Sequence, residues 1–408
     1  MDFKPSRKSQ EYLQKLKAFM KEHVFPFEKE YMEYHHQHHS HPNWKEWQEH
    51  PHVTELKTKA KAAGLWNLFL PDTQLGTGLT TLEYAPLAEE MGKVYNSAEI
   101  FNCNAPDTGN MEVLYHFGTE EQKMKWLEPL LSSEIKSVFC MTEPGVASSD
   151  ATQIEASIEP DGDDIVIDGT KWWATGLGHP QAKLAIVMGK TKSSEDRHKQ
   201  HSMVLVPLDT KGVKIKRMLS TLGAFDAPAG HGEVQFDQVR VPKENILVSY
   251  GAGFAIAQGR LGPGRIHHCM RCIGAAERAL ALMIDRGNKR EAFGKPLNRL
   301  GGNLDQIAEA RIAIDQARLL THYAAWKIDE EGVKASMTEI SAIKVVAPRL
   351  LQQITDMAMQ LHGGGGLSAD FPLSSFFIQA RALRLADGPD EVHKGVISKI
   401  EMRKNSRK

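Results

Sequence analysis

A chain of 408 residues is too long for one ordinary core, and its 41% hydrophobic and 25% charged content is that of a globular protein built from two or three packed units. The 50 Lys and Arg nearly balance the 51 Asp and Glu, for a formal net charge of −1, so there is no global basic field for nucleic acid or an acidic membrane, and an anionic ligand must be held by local charges. No apolar run reaches the roughly 18 residues of a membrane span, and four cysteines (Cys103, Cys140, Cys269, Cys272) are too few for a disulfide framework.

Tyr12, Leu13, Leu16, Phe19, Met20 and Val24 recur at three- and four-residue spacing and predict one amphipathic helix, which Pro26 ends or bends. The bunched His35, His36, His38, His39 and His41 can bind transition metals adventitiously but read better as a solvated helix end running into a loop. Helical patterning continues from Val53 to about Leu131, with breaks at Gly64, Pro71, Gly76 and Gly78. Asn104 to Asn110 is a further turn-rich break, and a helix is expected from near Met111. Thr119-Glu120-Glu121-Gln122 reads as a helix start with early acidic residues.

The texture changes near Ser137. Ile165 to Ile167, Leu184 to Met188, Met203 to Val206 and the Val234, Phe236, Val239, Val241 region are short β-branched or apolar runs closed by Asp168-Gly169 or Pro242. Such spacing predicts a sandwich or barrel. From Ala252 onward the pattern is helical again, with stripes at Leu304, Ile307, Ala308 and Ile312 and at Leu350, Ile354, Met357, Ala358 and Leu361. The expected division is a helical domain at 1–136, a β domain at 137–248 and a helical bundle at 249–408, with a cofactor cleft where the three blocks meet. Cys269 and Cys272 form a C-x-x-C beside His267 and His268, half of a metal site in spacing. No second close pair completes it, so no metal is expected, and two small residues on a buried helix face is the better reading. No complete G-x-G-x-x-G lies between a strand and a helix, and no Walker A sequence occurs.

Five segments in order carry a family signal: Phe139-Cys140-Met141-Thr142-Glu143-Pro144-Gly145-Val146-Ala147-Ser148-Ser149-Asp150; Ile167-Asp168-Gly169-Thr170-Lys171-Trp172-Trp173-Ala174-Thr175-Gly176; Val241-Pro242-Lys243-Glu244-Asn245-Ile246-Leu247; Arg290-Glu291-Ala292-Phe293-Gly294-Lys295; and Gln360-Leu361-His362-Gly363-Gly364-Gly365-Gly366. Together they resemble the acyl-CoA dehydrogenase family over nearly the whole chain. The double Trp and the Ala386–His393 segment resemble the subgroup also found fused behind kinase-like domains. The resemblance implies a mainly α fold with a central β-barrel domain: N-terminal helices, middle β, C-terminal four-helix bundle. It also implies FAD. Phe139, Met141, Thr142, Ser148 and Ser149 would line the flavin or its pyrophosphate, with Ser149 also near the CoA chain. Trp173 would cover one face of the isoalloxazine, flanked by Ala174, and Thr175 would reach N5. On a flat strand Trp172 and Trp173 face opposite ways, so one alone can stack; one buried and one outward residue with no ligand is the plain alternative. Arg290, Phe293, Gln360, Gly363 and Gly364 would hold the adenine half of FAD in a neighbouring protomer, or the glycines are a helix C-terminal loop, or both. Gly301 stands where relatives commonly carry glutamine.

The family's base is a glutamate followed by glycine; here Asp387-Gly388 stands in that place, one methylene shorter, as in the related nitroalkane oxidases. The alternative family position is Gly264, which cannot act. Asp387 could instead be a helix N-cap, and Glu391 is a second carboxylate a turn away. Gly388 N–H would polarise the thioester carbonyl, and Arg265 would sit by the substrate or the CoA phosphates, unless it is a surface helix charge. Ala386, where relatives often carry an aromatic, suggests a roomier acyl pocket.

The expected function is therefore FAD-dependent α,β-dehydrogenation of an acyl-CoA, with electrons passed to an electron-transfer flavoprotein and a homotetramer or homodimer as the assembly. Alternatives are a nitroalkane-type flavin oxidase, hydroxyacyl-CoA processing, or a non-catalytic flavin or acyl-CoA binder. The start, Met1 to Lys8, lacks a signal-peptide region and the last residues are not Ser-Lys-Leu, so the expected location is cytoplasmic, or a mitochondrial or peroxisomal matrix in a eukaryote.

Overall fold

In the computed structural model, which describes residues 4–38, 40–191, 196 and 199–406, Leu16, Phe19, Met20 and Val24 are buried along one helical face, as their spacing requires. His39 and both extreme ends, named above, lie outside the described residues. Helix α1 (Arg7–Phe19) starts at Ser6, whose Oγ accepts from Ser9 N. Pro26 does not end the helix. A π turn at Met20–Val24, closed by Phe25 N donating to Met20 O, leads straight into α2 (Phe25–His38). The wider turn relaxes the clash a proline ring makes with the preceding turn.

By contacts the chain divides into two units: Met1–Glu33, Glu55–Phe101 and Gly262–Lys408 form the first, and Tyr34–Thr54 and Asn102–Leu261 the second.

The first unit is helical. It holds α3 (Pro51–Ala62) from Glu55 on and α4 (Thr81–Gly92), whose Thr80 and Glu83 form a capping box. Its bundle comprises α8 (Gly253–Lys289) from Gly262 on, α9 (Asn303–Ala335), α10 (Met337–His362), α11 (Leu373–Leu383) and α12 (Asp390–Asn405). Helices α4 and α8 approach so closely that a Cβ at Gly92 would lie 2.2 Å from Arg271 O, and one at Gly274 1.8 Å from Glu89 O. The Asp329 carboxylate of α9 accepts from Thr81 N (2.9 Å) and Leu82 N (2.8 Å), satisfying orphan donors at the α4 N-terminus. The packed face of α9 is Ala310, Ile314, Ala317, Thr321 and Ala324, at alternating four- and three-residue spacing. The stripe expected at Leu304 to Ile312 is thus not the buried one: Leu304 and Ile312 are exposed because small alanines, not large aliphatics, let α9 pack within the unit. The stripe on α10 holds, with Leu350, Ile354 and Ala358 buried. Cys269 and Cys272 are free and fully buried in α8.

In the second unit, α5 (Asp107–Phe117) opens four residues before the expected Met111, inside the stretch read as a turn. Helix α6 (Glu120–Gln122) starts at a capping box of Thr119 and Gln122, as read, and α7 (Glu128–Leu131) follows. The strands are β1 (Lys136–Cys140), β2 (Ser157–Asp161), β3 (Asp164–Thr175), β4 (Ala182–Lys190), β5 (His201–Pro207), β6 (Val213–Leu219) and β7 (His231–Pro242). They form one sheet in the order β1-β4-β2-β3-β7-β6, with β5 also paired to β4. Val138, Ile158, Ile165, Val187, Val206 and Phe236 are among its core side chains.

This sheet is open. The expected closed barrel is corrected: no described pairing joins β5 to β6. Both edges are protected otherwise. Strand β6 carries Lys214, Lys216 and Arg217, and β5 is covered by Leu247 N donating to Met203 O and Asn245 Nδ2 donating to Leu205 O (2.7 Å). Among the described residues, no helix is long and apolar enough to cross a membrane.

Candidate functional site

Beyond β1, the segment from Met141 to Ser149 is organised around Glu143. Its carboxylate accepts from Glu155 N (2.8 Å), Ala156 N (3.0 Å) and Lys171 Nζ (2.6 Å). Lys171, fully buried in β3, also donates to Met141 O (3.0 Å). Burial pulls the Lys171 pKa down and the Glu143 carboxylate opposes the shift. Trp172 N donates to Thr142 O (2.9 Å), a second tie between loop and strand. Ser148 Oγ accepts from Glu143 N (2.8 Å), so that hydroxyl works inside the loop, whereas Ser149 is exposed.

Strand β3 shifts register against β7 between Lys171 and Ala174. Within this bulge Trp173 takes a φ of +52°, so the two tryptophans do not simply alternate as a flat strand would make them. Their rings meet edge to face at 6.3 Å. Trp173 remains 40% exposed, and Trp172 Nε1 is buried with no hydrogen-bond partner. Ala174 is buried; Thr175 Oγ1 lies 2.9 Å from His231 Nδ1, and the Trp173 and His231 rings are 5.6 Å apart. On β1, the Phe139 ring carries the Arg260 guanidinium at 3.9 Å, and Arg260 Nε donates to Asn110 Oδ1 (3.1 Å). Nearby Glu112 is buried with one carboxylate oxygen unpartnered; burial raises its pKa to about 8, against the Arg260 charge.

In the first unit, Asp387 sits between α11 and α12 with φ +56°, followed by Gly388 at φ +104°. It is not the N-cap of α12; Pro389 holds that position, without a side-chain cap. The Asp387 carbonyl accepts from Arg265 Nε (3.0 Å) and lies 3.3 Å from His393 Nε2. Arg265 is buried, so it is no surface charge. His393 is held neutral, its pKa lowered to about 4 by burial first and then by Arg265 and Lys344. Its Nε2–H therefore donates to Asp387 O, and its Nδ1 faces Ser341 Oγ at 3.4 Å. The Asp387 carboxylate lies 3.6 Å from His268 Nε2. His268, His393, Glu143 and Arg260 were not predicted as site residues. The only sequence signal for the two histidines was their place beside the C-x-x-C and at the end of the Asp-Glu-Val-His stretch.

Arg290 is exposed at the start of a hairpin, β8 (Glu291–Ala292) and β9 (Lys295–Pro296), whose turn is Phe293 (φ +51°) and Gly294 (φ +73°). Phe293 is 94% exposed. Gln360 is exposed in the last turn of α10, Gly363 (φ +62°) ends that helix, and Gly363–Leu367 go on as a 3-10 turn in place of the loop expected of the glycines. A Cβ at Gly363 or Gly364 would meet nothing within 4 Å.

Each unit by itself carries features that fit part of a flavin dinucleotide. Trp173 and Phe293 are uncovered aromatic faces, Trp172 Nε1 is an orphaned buried donor, and Gly363 and Gly364 leave main chain open to a phosphate. Among the described residues there is no group of three or more His, Cys, Asp or Glu that could hold a metal ion. A cavity of about 180 Å³ in the second unit, lined by Trp44, Trp47, Leu177, His179 and Ile215 among others, contains none of the residues singled out above.

Comparisons with known proteins follow the same order. Models of the acyl-CoA dehydrogenase N-terminal, middle and C-terminal domains match residues 6–134, 138–239 and 251–402. Acyl-CoA dehydrogenase family member 11 of Rattus norvegicus is 53% identical over 99% of this chain, and the match takes up 52% of that protein. The chain thus spans about half the length of several curated relatives it matches. The Mycobacterium tuberculosis protein named probable acyl-CoA dehydrogenase FadE2 is 51% identical, with 98% of this chain and 97% of that protein covered. A provisionally assigned acyl-CoA dehydrogenase structure from Mycobacterium abscessus superposes with a TM-score of 0.96 at 53% identity, covering 99% of this chain and 100% of that one.

Proposed function

Since the chain belongs to the acyl-CoA dehydrogenase family, we propose that it oxidises the Cα–Cβ bond of an acyl-CoA thioester with FAD as cofactor. The observation that carries this reading is Asp387, a carboxylate held by two donors to its own carbonyl on a left-handed turn.

FAD, when bound, supplies the two-electron acceptor for the β-hydride. The Asp387 carboxylate takes the α proton, and Gly388 N–H polarises the thioester carbonyl so that the α carbon is acid enough to give it up. Arg265 fixes the base through its main chain and adds positive charge near the acyl-CoA. Phe139, Met141, Thr142, Ser149 and Thr175 line the flavin, and the open face of Trp173 covers one side of its ring; Ala174, wholly buried, and Ser148, whose hydroxyl is taken by Glu143 N, support the site from behind instead of lining it as expected. Arg290, Phe293, Gln360, Gly363 and Gly364 serve the adenine half in a second copy of the chain. That assignment and the exposed Leu304, Ile312 and Leu319 favour a homodimer or homotetramer. Electrons leave to an electron-transfer flavoprotein. The division at 1–136, 137–248 and 249–408 belongs to this same proposal. The shorter carboxylate favours one second reading: oxidation of a small acidic carbon such as a nitroalkane, with oxygen as acceptor.

Anaerobic stopped-flow mixing with butanoyl-, octanoyl- and palmitoyl-CoA tests the proposal. At least one bleaches the flavin, and Asp387→Asn slows this by about a hundredfold or more. A variant as fast as the parent removes Asp387 as the base. Oxygen consumption on a nitroalkane, with no bleaching by any thioester, selects the second reading.

A further inference from the structure

We propose that His231 is a positioning residue for the flavin edge: its Nδ1 takes the hydrogen of the Thr175 hydroxyl, so that Thr175 meets flavin N5 as an acceptor, the sense that suits the reduced cofactor. The inference rests on the reading that Thr175 reaches N5, and it adds what orients that hydroxyl.

Thr175 and His231 are register partners at the end of β3 and the start of β7. Thr175 Oγ1 and His231 Nδ1 stand 2.9 Å apart. Either atom of such a pair can donate, depending on which ring nitrogen carries the hydrogen. The far side of the imidazole decides. Gly230 N donates to Asp226 O, closing a turn that returns the Asp226 side chain to the ring, with Oδ2 3.7 Å from His231 Nε2. A carboxylate only accepts, so a neutral ring places its hydrogen on Nε2, towards that charge, and presents a bare Nδ1 to Thr175. At 3.7 Å the Asp226 contact is electrostatic, and it acts on the ring whatever else that carboxylate touches. The imidazole also lies beside Trp173, ring centres 5.6 Å apart, so it borders the ring assigned to the isoalloxazine face.

Flavin N5 accepts a hydrogen bond when oxidised and carries a hydrogen once reduced. Thr175, having given its one hydrogen to His231, keeps only lone pairs for N5. It therefore favours N5–H over bare N5 and stabilises the reduced state relative to the oxidised one. Without the imidazole the hydroxyl is free to turn and donate to N5, and the preference lapses.

The first arm of the test needs no turnover. The full chain carries 13C- and 15N-labelled histidine, and the signal lost in His231→Phe assigns His231; phenylalanine keeps a ring beside Trp173. His231→Gln assigns it if the first variant does not fold. Spectra are taken on the alkaline side of the ring's titration. Hydrogen on Nε2 is expected both in the FAD-free protein and with FAD reduced by dithionite. Hydrogen on Nδ1 in either state overturns the proposal. The second arm is the flavin midpoint potential, measured by dye-coupled reduction of the parent, His231→Phe, Thr175→Val and the double variant. At a fixed potential, His231→Phe is expected to shift the ratio of reduced to oxidised flavin about tenfold towards oxidised, a midpoint about 30 mV lower for two electrons. Thr175→Val shifts it by a similar factor, and adding His231→Phe changes it by less than about twofold further. An equal shift from His231→Phe with and without the Thr175 hydroxyl overturns the proposal, because the imidazole then acts as packing or charge alone. A parental potential in His231→Phe overturns it as well. A parental potential in Thr175→Val removes Thr175 from N5, and the proposal with it. Failure of every thioester to bleach the flavin sinks the dehydrogenase reading instead, and the tautomer and potentials still judge His231.

Discussion

Arg265 and Asp387 stand 122 positions apart in the chain, and Arg265 Nε donates to the Asp387 carbonyl at 3.0 Å. A non-glycine residue in the left-handed region costs roughly 1–3 kcal/mol and persists only where its surroundings hold it. Here a buried guanidinium and a neutral His393 hold it, and Gly388 continues the turn at φ +104°.

Gly388→Ala is the direct probe of that turn. Its Cβ would adopt a φ of +104° and lie 3.1 Å from His393 Nε2. The expected outcome is a loss of about 1–3 kcal/mol, seen as a Tm lower by several degrees, together with flavin reduction slowed about tenfold or more. An unchanged melting curve and unchanged rate would show that the turn tolerates a side chain and that the Asp387 backbone is not held as described.

Glu112 predicts a pH dependence of stability. Its pKa rises from 4.5 to about 8 on folding, through burial opposed by Arg260. Between those values the native state keeps a proton that the unfolded chain has released, so stability falls as pH rises from about 4.5 to about 8. Glu112→Gln removes this contribution while keeping the shape. The variant's Tm relative to the parent should climb across that window and level off on either side, as measured by calorimetry in a pH series. A constant difference would mean that Glu112 titrates normally.

Trp173 and Phe293 are large aromatics left open to solvent, at 40% and 94% exposure. Removing either should cost little folding stability but weaken FAD retention, because Phe293 is almost wholly exposed and Trp173 keeps a large part of its ring in solvent. Trp173→Ala and Phe293→Ala are expected to keep a Tm of the FAD-free protein within about 2 °C of the parent and to lose FAD on gel filtration, read as the ratio of flavin to protein absorbance. Full retention in both variants would mean that these rings do not cover the cofactor.

Local signals carried much of the fold. The Leu16–Phe19–Met20–Val24 stripe, the Thr119–Gln122 capping box and the β-branched runs at Ile165 and Val204 became the elements expected of them, because helix and strand periodicity are set by neighbouring residues. Where non-local geometry decides, the reading slipped. Helix α5 opens at Asp107, the Leu304–Ile312 stripe faces outward, and the sheet stays open at β5 and β6. Each outcome depends on which partner surface is present, and no window of adjacent residues contains that partner.

Motif order placed Glu143, Lys171, Trp173 and Asp387 in a family, since spacing along the chain is sequence information and the family pattern is written in it. Their working states were decided in three dimensions. Lys171 is charge-paired because the fold buries it against Glu143, and the pKa of His393 is lowered because burial, Arg265 and Lys344 disfavour its charge. Residue identity was fixed by the chain; protonation, tautomer and aim are electrostatic quantities, and those depend on distances that exist only after folding.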